Sequence, residues 1–125
     1  MAPRKALVTG ATGYIGGRLV PRLIEAGFSV RVLVRNADKL KDVPWRSQVD
    51  IVEGDLLDKD VVNQACTGME VFYYLVHAMG QKGDFEEKEL RGAHNVAEAA
   101  KSNGLLRIVY LGGLHPSTGE LSKHL

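Results

Sequence analysis

Between Leu7 and Leu19 the chain reads LVTGATGYIGGRL, with Gly10, Gly13 and Gly16 spaced three apart between an apolar run and an amphipathic one. No other feature of the sequence restricts the fold as strongly. The preceding KALVTG is short, aliphatic and β-branched, which predicts a buried strand ending at glycine. After it, Ile15, Leu19, Val20, Leu23 and Ile24 recur at helical spacing from Tyr14 to Ala26, and Gly27 stands where a helix stops. Pro21 lies inside that helix and removes a backbone donor, so a mild bend is expected near Gly17.

The same alternation repeats along the chain. FSVRVLVRN reads as a second strand, NADKLKDV as a short helix capped by Asn36 or Asp38, and QVDIVEGD as a third strand. Asp58 is placed to cap a helix running to about Thr67 with Gly68 as its stop, and EVFYYLVH is a fourth strand, apolar enough to be covered on both faces. The longest helix is expected from about Asp84 to Asn103, with Leu90, Ala93, Val96, Ala97 and Ala100 as its apolar stripe, and LRIVYLGG is the fifth strand. Strands alternating with helices imply a parallel sheet with right-handed crossovers, a doubly wound (Rossmann) α/β fold of strand order 3-2-1-4-5. In that order the first strand is central, and the crevice at the carboxyl ends of strands one and four is where such folds bind ligands.

Pyrophosphate binding explains the glycines. A helix start offers unpaired N–H groups and a favourable dipole, and a Cβ in the turn would hold an anion away. Gly10 would make the exit from the strand, Gly13 would let the backbone close on the phosphates, and Gly16 would let the helix pack tightly. The spacing is G-x-x-G-x-x-G, and the absence of a following Gly-Lys-Ser or Gly-Lys-Thr excludes a P-loop. At the end of the second strand, where an acid would grip the adenosine ribose, the sequence has Arg35; its guanidinium matches a 2′-phosphate and favours NADP over NAD. Asp38 is the acid that would restore NAD, from a less favourable place.

Composition narrows the alternatives. Apolar residues make up 45% and charged ones 25%, as in globular domains, so disordered, collagen-like and coiled-coil chains are excluded. Net charge is +1, with the surplus of bases before Asp50, and no basic, aromatic-studded patch points to nucleic acid. Cys66 is the only cysteine, which suits a reducing cytoplasm and reads as a small core residue. No segment approaches a membrane span, and consecutive acids in GDFEEKE read as solvated helix start, with no metal expected. Trp45, after Pro44, reads as an anchor of that connection ahead of a cover over the adenine side, and His115 as a loop residue.

TGATGYIGG, Thr9 to Gly17, resembles the extended and atypical short-chain dehydrogenase/reductases, an NAD(P)-binding, nucleotide-sugar epimerase-like superfamily. VEGDLLD, Val52 to Asp58, is similar to the family segment that contacts adenine, and Arg91 to Gly113 to its long helix and fifth strand. The resemblance implies an NAD(P)-dependent oxidoreductase or epimerase. Gly10, Thr12, Gly13, Tyr14 and Ile15 would lie along the pyrophosphate, Asp55 and Leu56 along the adenine, and His77, Ala78 and Met79 toward the nicotinamide. His77 read from the residues alone is a strand-end histidine with local bonding.

The catalytic residues stay unknown, because the family's Tyr-x-x-x-Lys pair is missing: Tyr14 is followed four on by Arg18, Tyr73 by His77, Tyr74 by Ala78 and Tyr110 by Leu114. Gly112 and Gly113 stand where a family serine is expected, and Ser117 and Thr118 read as loop hydroxyls. Family members run well beyond 200 residues, so residues 1–125 are expected to be one dinucleotide-binding domain, the N-terminal part of a longer protein cut after the fifth strand. The partners are then the dinucleotide and an unknown small-molecule substrate, with self-association through a bare fifth strand. A non-catalytic NADP-binding sensor is the competing expectation, and a flavodoxin-like module a third that leaves the glycines unexplained.

Overall fold

The computed structural model describes residues 4–75 and 84–111, side chains excepted at 84–86 and 111. In chain order the elements are β1 (Lys5–Thr9), α1 (Tyr14–Glu25), β2 (Ser29–Val34), β3 (Asp50–Glu53), α2 (Lys59–Cys66), β4 (Val71–Leu75), α3 (Asp84–Asn103) and β5 (Arg107–Leu111). All strand pairs are parallel and the order is β3-β2-β1-β4-β5, the doubly wound sheet expected from the alternation.

Side chains of β1 alternate between two cores, as a strand with period two covered on both faces must. Ala6 and Val8 join Val20 and Leu23 of α1, the β2 valines and Trp45, while Leu7 joins Phe72 of β4, Val62 of α2 and Val96 of α3. Each fully buried large side chain is worth about 1.5–3 kcal/mol, so the central strand anchors both layers. Trp45 is buried in the first cluster, the anchoring role expected of it. Cys66 is fully buried in the second, as expected of a small core residue.

Local chemistry sets the element ends. Asp58 Oδ1 accepts the N–H groups of Asp60 (3.0 Å) and Val61 (3.3 Å) and so caps α2. Asn36 Oδ1 accepts from Asp38 N–H at 3.0 Å and caps a single 3-10 turn, Ala37–Leu40. β2 ends at Val34, which leaves Arg35 and Asn36 in the connection. α1 runs unbroken through Pro21. Arg31 serves a fold role: its Nε meets Asp50 at 2.8 Å, and its Nη1 donates to the carbonyls of Ala65 and Thr67 at 2.9 Å, closing the C-terminal end of α2.

Two expected apolar faces differ from the structure. Ile15 is 56% exposed at the first turn of α1, where the residue turned inward is Gly16. In α3 the inward face is Gly92, Val96 and Ala99, while Leu90, Ala93 and Ala97 face solvent. Small residues occur all round this helix, so its sequence admits more than one phase. Packing against α2 and β4 chooses the one in which Gly92 approaches Leu56 and Tyr74.

Candidate functional site

The crevice begins where β1 and β4 part. Their pairing covers Ala6 to Val8 against Val71 to Tyr73 and then stops. Beyond it the buried Thr9 hydroxyl accepts the Leu75 N–H at 3.1 Å, so a side chain replaces a ladder bond while the main chain turns away at Gly10. Gly10 has φ 71°, a conformation that L side chains resist, and a Cβ there would lie 3.2 Å from Leu75 Cβ. At Gly16 a Cβ would overlap the Gly10 carbonyl oxygen and sit 2.6 Å from its carbon. The obstacle is backbone, which cannot step aside, so the close packing expected of Gly16 is present.

Gly13 is the residue before α1 and carries no side chain to cap it; its N–H donates to the Gly10 carbonyl at 3.0 Å. The N–H groups of Tyr14, Ile15 and Gly16 therefore have no intrahelical acceptor, and the first turn contains no acid. A helix start of this kind stabilises an anion through its free donors and its dipole. The side chains of Tyr14 and Ile15 point outward, with the Arg18 guanidinium 3.9 Å from the Tyr14 ring centre. What these two residues present to the crevice is main chain.

The crevice opens into a cleft of about 610 Å³. It brings together Gly10, Thr12, Arg35, Asp55 and Leu56 of the expected residues, contributed by the ends of three strands. Gly13, Tyr14 and Ile15 stand beside it at the head of α1 and are absent from its lining. Asp38, the acid that would favour NAD, is also absent from the lining. His77, Ala78 and Met79, together with Gly112, Gly113, His115, Ser117 and Thr118, lie outside the described residues.

The walls are held by bonds that tie one connection to the next. Ala37 N–H donates to Glu53 Oε2 at 2.8 Å, and Gly54 N–H to the Val34 carbonyl at 2.8 Å, so the segments after β2 and β3 are tied to each other. Asp55 Oδ1 accepts the Leu57 N–H at 3.0 Å, and the Leu56 carbonyl accepts Asn95 Nδ2 at 2.8 Å, which fastens the turn after β3 to α3. Sequence reasoning passed over Lys39, Tyr74, Lys88 and Glu89, all of which line the cleft. For Lys39 a signal existed, since the Asn36 cap turns it back beside Arg35. For the other three none did, because they come from β4 and α3.

Burial raises the pKa of Tyr74, helped by Tyr110 and Glu89; burial, then Glu89, raises that of Tyr110. Both phenols are neutral near pH 7, the opposite of the shift a catalytic tyrosine needs. Burial also pushes the Cys66 thiol up to about 11 against the pull of Arg31, which makes it unreactive. Among the described residues no group of three or more His, Cys, Asp or Glu is gathered to hold a metal, and no helix is long and apolar enough to cross a membrane.

Comparison with known proteins agrees with this geometry. A family model described as NAD(P)H-binding matches residues 10–123. The chain is 35% identical over 121 residues to a ceramide reductase of Caulobacter vibrioides, covering 94% of this chain and 37% of that protein. It is 32% identical over 108 residues to a 2-alkyl-3-oxoalkanoate reductase of Shewanella oneidensis, covering 84% and 27%. The chain thus spans roughly a third of the length of the curated relatives it matches. An NADPH-dependent quinone oxidoreductase of Escherichia coli, solved with NADPH, superposes with a TM-score of 0.66 at 25% identity over 84% of this chain and 35% of its own. The parallel sheet, the glycine turn and a family match over nearly the whole chain lead to one conclusion: the chain is an NAD(P)-binding domain of the short-chain dehydrogenase/reductase, epimerase-like superfamily.

Proposed function

We propose that this domain supplies the cofactor half of an oxidoreductase and selects NADP over NAD. The residues fit such a cofactor: Gly10 and Gly16 clear space that Cβ atoms would fill, and the head of α1 offers three free N–H groups. In this reading the pyrophosphate lies against Gly10, Thr12, Gly13, Tyr14 and Ile15, the adenine against Asp55 and Leu56, and the nicotinamide toward His77, Ala78 and Met79. When bound, the cofactor supplies a hydride donor or acceptor. The chain's own task is to hold it still.

One observation carries the preference for NADP. Arg35 and Lys39 line the cleft just beyond β2, and no acid lines it there. A guanidinium grips a phosphate dianion with two parallel bonds, and a second cation adds to the attraction. Reductases among the relatives support an enzyme over a sensor. The substrate-binding part then belongs to a longer protein, and the buried single cysteine suits a reducing cytoplasm.

Calorimetric titration of NADPH and NADH into the wild-type chain and Arg35→Ala tests this. About tenfold or greater preference for NADPH is expected, collapsing toward parity in the variant while NADH affinity stays put. Equal affinities in the wild type would overturn the NADP assignment.

A further inference from the structure

The corner where α2 and α3 end is closed by side chains. Asn103, the last residue of α3, spends both amide hydrogens there: Nδ2 donates to Asn63 Oδ1 on α2 and to the Ala99 carbonyl one turn back, each at 2.8 Å. The main-chain carbonyl of Asn63 lies 3.4 Å from the same nitrogen and accepts the Thr67 hydroxyl at 3.0 Å. Thr67 Oγ1 is also 3.4 Å from Asn103 Oδ1, so both polar atoms of the Asn103 amide face partners. The clasp joins residues 40 apart in sequence, at the point where both helices stop.

The end of α3 imposes a second requirement one residue later. Gly104 has φ 66°, a left-handed conformation that glycine adopts without strain, and Leu105 N–H reaches back to the Ala100 carbonyl at 3.0 Å. Clasp and stop together place asparagine directly before glycine. Of the four asparagines, Asn36, Asn63 and Asn95 precede Ala37, Gln64 and Val96, and only Asn103 precedes a glycine. An asparagine amide carbon is open to attack by the nitrogen of the following residue, and glycine puts no side chain in the way. Helical geometry and the bound amide hold the two atoms out of line at Asn103, and fraying of the last turn releases both.

We propose that Asn103 is a site of spontaneous deamidation, a chemical ageing site guarded by the clasp to α2. When the last turn of α3 frays, the Gly104 nitrogen bonds to Asn103 Cγ, and the side-chain amide leaves as ammonia, carrying off the Gly104 proton. Water then opens the resulting succinimide at either carbonyl, giving aspartate or isoaspartate with no change of oxidation state. The product does not reform the clasp. A carboxylate has no donor for Asn63 Oδ1 or the Ala99 carbonyl, repels both, and stands at the negative end of the helix dipole. The change is one-way and loosens α3 from α2. None of these residues lines the cofactor cleft, so the proposal stands apart from the cofactor reading.

The test is incubation of the 125-residue chain in mildly alkaline buffer, with peptide mapping by mass spectrometry to locate each amide-to-acid conversion and enzymatic methylation to reveal isoaspartate. Conversion is expected at Asn103 ahead of the other three asparagines. Asn63→Ala removes one acceptor of the clasp and speeds conversion about fivefold, the share of opening that one hydrogen bond controls. Thr67→Val, a milder change at the same corner, speeds it in the same direction, with circular dichroism unchanged. Asn103→Asp, which carries the acid from the start, unfolds at lower urea than wild type. Earlier conversion at another asparagine, a rate that neither clasp variant moves, or an Asn103→Asp chain as stable as wild type would overturn the proposal.

Discussion

The two ends of the cleft are built from different materials. Around Gly10, Gly13 and Gly16 the atoms proposed to hold the cofactor are main-chain N–H groups, and glycine leaves them uncovered. Around Leu56, Tyr74, Lys88 and Glu89 the cleft is lined by side chains brought together from the turn after β3, from β4 and from α3. A phosphate asks only for donors and positive potential, which a helix end supplies for any sequence that keeps its backbone clear. A base asks for a shaped slot with particular acceptors, and side chains have to provide it. Errors at the first end should therefore damage fold and binding together, and errors at the second should alter selectivity alone.

Gly16→Ala tests the first half of that contrast most severely. The added methyl meets the Gly10 backbone, and the expected loss is about 1–3 kcal/mol in urea unfolding together with abolished NADPH binding. A variant that folds and binds like wild type would erase the contrast. Thr9→Val keeps the shape and removes the hydroxyl that accepts from Leu75, leaving that N–H without its partner; roughly 1–3 kcal/mol should be lost, with weaker cofactor binding as the crevice closes or frays.

A pH series examines a buried group away from the cleft. Cys66 has its pKa raised from 9.0 to about 11, so above pH 9 the unfolded chain gives up the thiol proton before the folded one does. Stability then falls as pH rises from 9 toward 11, by on the order of 2 kcal/mol at most. Cys66→Ala should flatten that part of the curve in denaturation measured from pH 8 to 11, with NADPH affinity at neutral pH unaltered.

The smallest effect expected is at the outer edge. β5 has no neighbour beyond it among the described strands, and Leu106 just before it and Ile108 and Tyr110 within it are exposed. We propose that this face drives weak self-association, seen as concentration-dependent elution in size exclusion and removed by Ile108→Lys. A monomer at all concentrations would overturn it.

Much of this molecule was legible in advance, for identifiable reasons. The strand order followed from alternation and crossover handedness, and Asp58 and Asn36 cap where their sequence neighbours said they would. Those are local rules, satisfied within a few residues. The inward phase of α3 was misread because Ala93, Ala97 and Ala100 are as small as Gly92 and Ala99, so periodicity could not rank the faces. Ile15 was misread because helical spacing alone does not say that the first turn of α1 buries Gly16 instead.

By itself, then, the sequence determined that the chain turns from strand to helix through a cleared backbone, with an arginine one strand later, since φ preference, capping and periodicity are properties of neighbours along the chain. Only the tertiary structure decided that Thr9 would bridge to Leu75 and that Glu89 would share a wall with Leu56 and Tyr74. Such meetings depend on how whole elements pack, and burial energy is indifferent to separation along the chain.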